Sequence, residues 1–289
     1  MEVHDVSRTA FIRYWAYPGI FGGAAAVILL IGTFGRPGAL LYGIVALAAI
    51  ACVALLERVH PYETQWLDDH GDASADRVHL LVNFAMLAGA GYLAAAIAPV
   101  MPHLSVWPHR WPIPLQVVLA GAILDAGLYA MHRASHRYGF LWRLHAVHHA
   151  AERLYWINGE RRHPLSALVL ATPGLVATSL LGAPADVVTA WLAILSVHLA
   201  FQHANIDYSV GPLRLILGVA QSHRIHHRRD YEPNQVNFGE FWLIWDQLFG
   251  TYKSDPSPPR AGDVGLRDDV VPQGYAAQLR WPFASRSNP

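Results

Sequence analysis

Residues 113–149, IPLQVVLAGAILDAGLYAMHRASHRYGFLWRLHAVHH, join an apolar run directly to two groups of histidines. The run 113–131 approaches the roughly 20 apolar residues that a helix needs to cross the ~30 Å hydrocarbon layer of a membrane. His132 follows immediately, and four more histidines come within the next 17 residues. The stretch therefore predicts a membrane span that ends at a set of metal-binding side chains.

Five further stretches are apolar enough, or nearly so, to span a bilayer: 17–35, 39–56, 79–100, 165–181 and 184–202. The stretch 165–181 contains Pro173 and Gly174, so a kinked helix or a re-entrant hairpin is an alternative there. Hydrophobic residues make up 53% of the chain and charged residues 15%, against about 25% charged residues in soluble domains. The predicted fold is an all-α integral membrane protein with about 4–6 transmembrane helices.

The arginines predict the orientation of these helices. With the N-terminus in the cytoplasm and six alternating spans, only Arg36 and Arg110 of the 21 Lys and Arg residues lie outside, as the positive-inside rule favours. The segments 132–163 and 203–230 then meet in a histidine-rich helical cap on the cytoplasmic side. Abundant alanine and a single lysine are typical of a GC-rich bacterial genome, so a bacterial inner membrane is expected. The net charge of zero gives no indication of a nucleic-acid partner.

Eight of the 17 histidines fall in three short clusters. They are HRASH, HAVHH and HRIHH, which contain His132 and His136, His145, His148 and His149, and His223, His226 and His227. Histidines three or four residues apart share one face of a helix at about 5–6 Å, so one metal can bind both. In HxxHH the i and i+3 histidines are expected to share a face, and the extra histidine beside the second points about 100° away and can reach a second metal. Eight imidazoles exceed the roughly three or four ligands of a zinc site, which favours two metal ions.

Other sites also fit parts of this pattern. A structural zinc site is one alternative, although cysteine ligands are absent. A basic patch for lipid head groups would account for Arg161, Arg162, Arg228 and Arg229 but not for the histidine spacing. A zinc-dependent membrane hydrolase would need a general base, for which Glu152 and Glu160 are candidates. A non-enzymatic metal transporter or sensor would be expected to bury its ligands near the bilayer midplane.

The histidine clusters and several further motifs occur in order between about 113 and 252. They are Asp125-x3-Tyr129-x2-His132-Arg133-x2-His136, Leu141-Trp142-x2-His145-x2-His148-His149, Arg161-x-His163-Pro164, His203-Ala204-Asn205, HRIHH and WDQLFGTY at 245–252. This combination resembles the fatty acid hydroxylase/sterol desaturase superfamily. Ser222 is one departure, because many members carry another histidine there.

The resemblance implies a non-haem di-iron centre that uses O2 on a lipid or sterol-like substrate, with zinc as a possible substitute for iron. The metal ligands that it implies are the eight clustered histidines and His203, which ends the sixth span at the same membrane level. His163 and His198 are possible additional ligands. Neutral imidazole suits iron, whereas magnesium or calcium would call for oxygen ligands.

Polar residues near the clusters are candidates for supporting the ligands. Asp125 and Tyr129 share a helix face with His132, and Asp125 is expected to accept the far N–H of a metal-bound histidine; a packing contact with a neighbouring span is the alternative. Asn158 and Asn205 are expected to hold a water or a histidine near the metals. Arg133, Arg137 and Arg143 are expected to contact head groups or carboxylates, since arginine is not a metal ligand.

The function predicted from these residues is oxidation of an unactivated C–H bond, giving an alcohol or an alkene. Electrons must come from a separate ferredoxin or cytochrome with its reductase, because the chain has no GxGxxG or CxxCH motif and Cys52 is its only cysteine. The expected organisation is 1–105 as N-terminal transmembrane helices, 106–255 as a fatty acid hydroxylase-like catalytic domain and 256–289 as a cytoplasmic tail. The aromatic stretch FWLIWDQLF at 241–249 fits a helix lying flat at the membrane surface.

Overall fold

The computed structural model describes residues 3–35, 38–97, 104, 106–231, 235–267 and 270–284, with backbone alone for 3–8, 87 and 90–97. These residues form helices joined by short 3-10 turns, and no strand occurs among them. The α-helices are α1 Val3–Ala16, α2 Gly23–Thr33, α3 Gly38–Val59, α4 Ala73–Ile97, α5 Ile113–Arg137, α6 Gly139–His149, α7 Pro164–Leu181, α8 Ala185–His203, α9 Ala220–His226, α10 Ile244–Leu248 and α11 Tyr275–Arg280. The predicted all-α fold is confirmed.

Five helical segments of the described residues are long and apolar enough to cross a membrane. They are Thr9–Thr33, Gly38–Val59, Ile113–Arg137, Pro164–Leu181 and Ala185–His203. The first joins α1 to α2 through a π-helical stretch at Tyr17–Gly22 that contains Pro18, whose missing N–H disturbs the regular α-helical ladder. The remaining predicted span, 79–100, coincides with α4 as far as Ile97, and 98–100 lie outside the described residues.

The central helix is α8, which packs against α2, α3 and α5. Most of its side chains are buried, whereas the other four candidate spans bury a minority of theirs. A helix that is apolar and buried on nearly all sides belongs to the core, while one-sided burial leaves a face for lipid. The core position of α8 brings His203, at its last turn, beneath the ends of the surrounding helices.

Helices α5 and α7 touch backbone to backbone. A Cβ atom on Gly127 would lie 2.6 Å from the Gly174 nitrogen, and one on Gly174 would lie 2.7 Å from the Leu124 Cα. Small residues allow such close approach in membrane helices. Pro173 is accommodated inside a helix that continues to Leu181, so the alternative of a re-entrant hairpin is wrong.

The C-terminal segment, predicted as a tail, packs on the helices. Gln278 of α11 accepts a hydrogen bond from His79 Nε2 in α4 at 2.8 Å. Arg143 of α6 donates to the Trp281 carbonyl at 2.9 Å and lies over the Trp281 ring. Arg143 therefore holds this segment, not a lipid head group or a carboxylate. Long-range pairs of this kind leave no local pattern in the sequence.

Candidate metal centre

The nine histidines predicted as ligands converge in two buried groups. One group contains five histidines and the other four, and within each group one potential ligand atom of every ring lies within 4.8 Å of all the others. The five-histidine group is His132, His136, His145, His149 and His226, and the four-histidine group is His148, His203, His223 and His227. They come from α5, α6, α8 and the α9 region, and the first and last of them, His132 and His227, are 95 residues apart in the sequence. The topology predicted from the spans thus brings distant clusters together.

Each HxxHH cluster is divided between the two groups, but the predicted division is wrong: the i and i+4 histidines share a group, and the i+3 histidine belongs to the other. His145 and His149 of α6 belong to the five-histidine group, while His148 belongs to the other. The same division separates His226 from His223 and His227 at α9. The two groups adjoin, since the rings of His149 and His227 stack with centroids 4.4 Å apart. The arrangement fits two neighbouring metal ions.

The distances between ring nitrogens fit metal coordination. The Nε2 atoms of His203 and His223 are 2.9 Å apart, and those of His223 and His227 are 3.1 Å apart. In the five-histidine group the Nε2 atoms of His145 and His149 are 3.2 Å apart. Two nitrogens at right angles about 2.1 Å from a metal are about 3.0 Å from each other. The residues present therefore fit a metal in each group.

Backbone carbonyls select the tautomer of three of these rings. His132 Nδ1 donates to the Phe238 carbonyl at 2.8 Å, and His226 Nδ1 donates to the Val236 carbonyl at 2.7 Å. His203 Nδ1 bonds the Leu199 carbonyl in its own helix at 3.1 Å. The Nε2 atoms of His132 and His226 are buried and have no hydrogen-bond partner. Such an arrangement fixes the ring and leaves Nε2 for a metal.

Burial favours the neutral form of the imidazoles that lie outside the candidate spans. It lowers the pKa of His148, His149 and His226 well below the ordinary value for histidine, and neighbouring histidine rings lower it further. Histidine binds a metal through its neutral ring, so no proton has to be displaced at neutral pH. Nine buried polar rings that have few hydrogen-bond partners would be costly without a ligand. The electrostatics therefore agree with the geometry.

His163 and His198 lie outside both groups. His163 caps α7, accepting from Leu165 N at 3.1 Å through Nδ1 and bonding the Leu279 carbonyl at 3.2 Å through Nε2. His198 bonds the Tyr17 hydroxyl at 2.7 Å through Nδ1 and the Gly218 carbonyl at 3.1 Å through Nε2. Both nitrogens of each ring are engaged within the protein, which favours structural roles for the two.

Asp125 holds a loop instead of a histidine. Its carboxylate accepts hydrogen bonds from the backbone N–H groups of Phe241 and Trp242 at 2.8 and 3.0 Å and from Trp245 Nε1 at 3.0 Å. The expected direct contact with a metal-binding histidine is wrong, because all three donors lie in or beside the 236–242 loop. That loop supplies the Phe238 and Val236 carbonyls that bind His132 and His226. Asp125 therefore affects His132 and His226 indirectly, by holding the loop whose carbonyls bind them.

Tyr129 also supports the 236–242 loop. Its hydroxyl lies 3.0 Å from Thr251 Oγ1, which in turn donates to Asp246 at 2.7 Å. Asp246 is fully buried and accepts from the N–H groups of Phe238 and Gly239, both at 2.8 Å. Two buried carboxylates thus hold the loop: Asp246 binds the N–H groups of Phe238 and Gly239, and Asp125 binds those of Phe241 and Trp242.

The side chains of Asn158 and Asn205 form hydrogen bonds to groups other than the clustered histidines. Asn158 donates to Asp76 at 2.9 Å, and its side-chain oxygen accepts from Tyr155 N. Asn205 exchanges hydrogen bonds with the backbone of Glu63 at 2.8 and 2.9 Å. Neither contacts a histidine of the two groups. Asn158 instead fastens its segment to the first turn of α4, and Asn205 fastens the residues after α8 to the connection between α3 and α4.

Two of the arginines considered for a lipid-binding patch are buried. Arg161 pairs with Asp76 at 3.1 Å and Arg162 pairs with Glu240 at 3.3 Å. Arg228 and Arg229 pair with Asp255 and Glu152. The patch is wrong as a description of these four side chains, since each one forms an ion pair within the chain.

Glu240 is a supporting residue that the sequence did not suggest. Its carboxylate is 1% exposed and lies between His132, whose Nδ1 is 3.5 Å from Oε1, and Arg162, whose Nη2 is 3.3 Å from Oε2. The hydrogen bond of His132 goes to the closer Phe238 carbonyl, so Glu240 acts mainly through its charge. No motif surrounds Glu240, and its partners lie 78 and 108 residues away.

Replacement of Glu240 by glutamine should weaken metal binding about 10–100-fold, the usual effect of residues that contact a ligand. The amide keeps the volume of the side chain but removes the negative charge beside His132 and leaves Arg162 buried without its carboxylate. Metal titration of the purified apoprotein measures the affinity. Glu152→Gln, at an exposed carboxylate that pairs with Arg229, is the matched control. Wild-type affinity in Glu240→Gln would contradict this role.

A cavity of about 510 Å³ opens beside the five-histidine group. Its lining includes His136, Phe238, Gln235 and two arginines of α5, Arg133 and Arg137. His136 is buried, and neither nitrogen of its ring has a hydrogen-bond partner. His136 is thus the ring of the five-histidine group that borders this open space.

Comparisons with known proteins agree with the site. Residues 117–251 match the profile of the fatty acid hydroxylase family. The ornithine lipid hydroxylase OlsE of Rhizobium tropici is 37% identical over 260 residues, covering 85% of this chain and 76% of that protein. The human alkylglycerol monooxygenase is 29% identical over 146 residues, or 50% of this chain and 32% of its own length. The Caenorhabditis elegans alkylglycerol monooxygenase is 26% identical over 156 residues, 53% of this chain and 30% of its own. No solved structure matches significantly.

Proposed function

Because the chain belongs to the fatty acid hydroxylase family, we propose that it is a membrane-bound di-iron enzyme that hydroxylates a C–H bond of a polar lipid. Its homologues are hydroxylases and monooxygenases, and it is an O2-dependent oxidoreductase that acts on lipids. The observation that carries the metal assignment is the pair of adjoining all-histidine groups. Imidazole without thiolate suits iron, whereas a ligand set without carboxylates does not suit magnesium.

Iron bound to the two groups would supply the activation of O2. The overall reaction breaks one C–H bond and forms one C–O bond, and the second oxygen atom leaves as water after uptake of two electrons and two protons. We propose that a separate ferredoxin or cytochrome with its reductase supplies the electrons. The Phe238, Val236 and Leu199 carbonyls hold three of the histidine rings in place throughout. A ligand set held in this way need not reorganise during turnover.

One face of α5 provides a path for the lipid. A groove of about 490 Å³ between α5 and α7 is lined by small and apolar side chains and by Trp245. Ile123 and Ala126 line this groove, whereas Ala130, Ala134 and Arg137 line the cavity beside His136. These residues are three or four positions apart and form one stripe along the helix. An acyl chain in the groove would place the polar end of the lipid in the cavity.

The orientation of the site is part of the proposal. We infer that the histidines face the cytoplasm of a bacterial inner membrane, because the predicted topology places almost all arginines on that side. A soluble electron donor and a lipid that enters from the bilayer can then approach the centre from different directions.

The zinc-hydrolase alternative has little support from the geometry. One of its two candidate bases, Glu152, pairs with Arg229 on the surface, where 64% of the Glu152 side chain is exposed. Glu152 is thus directed away from the histidines, and a general base must come within about 3 Å of the proton that it removes. The four-histidine group also contains no carboxylate.

Anaerobically purified protein should contain about two irons per chain and should oxidise lipid only when O2 and reductant are both present. With 18O2, the hydroxylated lipid should contain one labelled oxygen atom, and its mass should exceed that of the substrate by the mass of that atom. An ornithine lipid and an alkylglycerol are the first substrates to assay, after the named relatives. Zinc as the only bound metal, or lipid turnover without O2, would contradict the proposal.

A further inference from the structure

Two arginines line the cavity beside His136 without a carboxylate bound to either. Arg133 and Arg137 are exposed side chains one turn apart on α5. Neither forms an ion pair with any carboxylate of the residues that the structure describes. Arg133 Nη1 donates to the Tyr129 hydroxyl at 3.3 Å, and its charge acts on Asp246 only from a distance. The pair can therefore bind an anion in the cavity.

Gln235 contributes a buried acceptor to the same cavity. The residue is 5% exposed, and its Oε1 atom has no hydrogen-bond partner. A buried amide oxygen without a partner has lost its hydrogen bond to water and gained none in return, and a ligand N–H can offset that cost. The cavity thus presents two guanidinium donors for an anion and one amide acceptor for an N–H group.

This combination distinguishes between lipid head groups. A phosphodiester group without an amine beside it offers only oxygen acceptors, which suit the two guanidiniums but would face the Gln235 oxygen unfavourably. An amino acid offers a carboxylate for the guanidiniums, in charge-assisted hydrogen bonds, and an N–H for Gln235. An ornithine head group carries both, and the Rhizobium relative is an ornithine lipid hydroxylase.

Resting on the proposed function, we propose that Arg133, Arg137 and Gln235 form the head-group site for an amino-acid lipid. The carboxylate binds Arg133 and Arg137, and an amine N–H donates to Gln235 Oε1. The head group then lies in the cavity that His136 lines, and the acyl chain extends from it along the stripe of α5 into the groove. The three residues select the substrate and hold it; they do not bind the metals.

Equilibrium binding of lipids to the iron-loaded enzyme in detergent, without O2, tests the proposal. Ornithine lipid should bind about 10–100-fold more tightly than its carboxyl methyl ester, which cannot form the charge-assisted hydrogen bonds. The double variant R133Q/R137Q should lose this preference while its affinity for the ester stays unchanged. R133Q and R137Q alone should each lose part of it. R77Q, at an exposed arginine of α4, is the matched control and should keep it.

The amine contact has its own probe. Trimethylation of the amine keeps its charge and removes its N–H, so it should weaken binding to the wild type several-fold but leave binding to Q235L unaffected.

A wild-type carboxylate preference in R133Q/R137Q of unchanged iron content would overturn the proposal. So would phosphatidic acid or inorganic phosphate competing as well as ornithine lipid does. Carboxylate-selective binding without O2-dependent turnover would refute the proposed function alone, whereas hydroxylation without that selectivity would refute the head-group site alone.

Discussion

Alanine at His148 or at His226 should abolish O2-dependent hydroxylation and remove metal from the group that contains the replaced residue. Within each group one potential ligand atom of every ring lies within 4.8 Å of all the others, so loss of one ring opens the coordination of that metal alone. Residues that only orient a ligand contribute about 10–100-fold, and a direct ligand should therefore cost more than about 100-fold in turnover. Iron per chain and labelled product from 18O2 are the two measurements.

The controls separate ligand loss from unfolding. His70 is an exposed histidine between α3 and α4, and His70→Ala should keep wild-type iron content and turnover. His148→Ala and His226→Ala should each keep the metal of the other group, because only one group has lost a ring. Full activity in either variant would remove that histidine from the ligand set. Loss of both metals together with the helical circular dichroism signal would indicate unfolding instead.

The pattern of short-range spacings explains why so much of this centre was predictable. HxxxH and HxxHH place histidines on defined faces of a helix, and the apolar runs fix where those helices leave the membrane. The angle of about 100° between neighbouring residues on a helix explains why His148 and His149 belong to different groups, but the spacing did not show which of the two shares a group with His145. The chain topology then decides that 132–149 and 223–227 share one side.

The supporting residues escaped prediction because their partners are distant along the chain. Asp125 has the expected carboxylate on the expected helix face, yet it binds backbone N–H groups 116 and 117 residues away. A sequence identifies a buried carboxylate but not which loop will fold over it. Glu240 was missed for the same reason, since the loop that carries it has no helical period to align it with His132.

The second large effect is expected from Asp76→Ala, which should lower the free energy of unfolding by about 3–5 kcal/mol, the usual result of breaking a buried ion pair. Asp76 is fully buried and accepts hydrogen bonds from Tyr155 and Asn158 at 2.9 Å and from Arg161 at 3.1 Å. Alanine would remove the acceptor that all three donors share and leave Arg161 with only the more distant Asp72, whose Oδ2 lies 3.7 Å from Nη1. The thermal midpoint of the purified protein in detergent, followed by tryptophan fluorescence, measures the loss.

Asp76 should also affect the metal centre, because Arg161 connects the two. Arg161 Nε donates to the Val147 carbonyl at 3.1 Å, next to His148, so a displaced Arg161 would loosen the last turn of α6. We therefore expect Asp76→Ala to lose metal from the four-histidine group on mild heating, before the helices unfold. Asp76→Asn keeps an acceptor for Arg161, so its thermal midpoint should lie between those of the wild type and Asp76→Ala. Asp68→Ala, at an exposed carboxylate between α3 and α4, is the control and should have the thermal midpoint of the wild type. A wild-type midpoint in Asp76→Ala would show that α6 is held by other contacts.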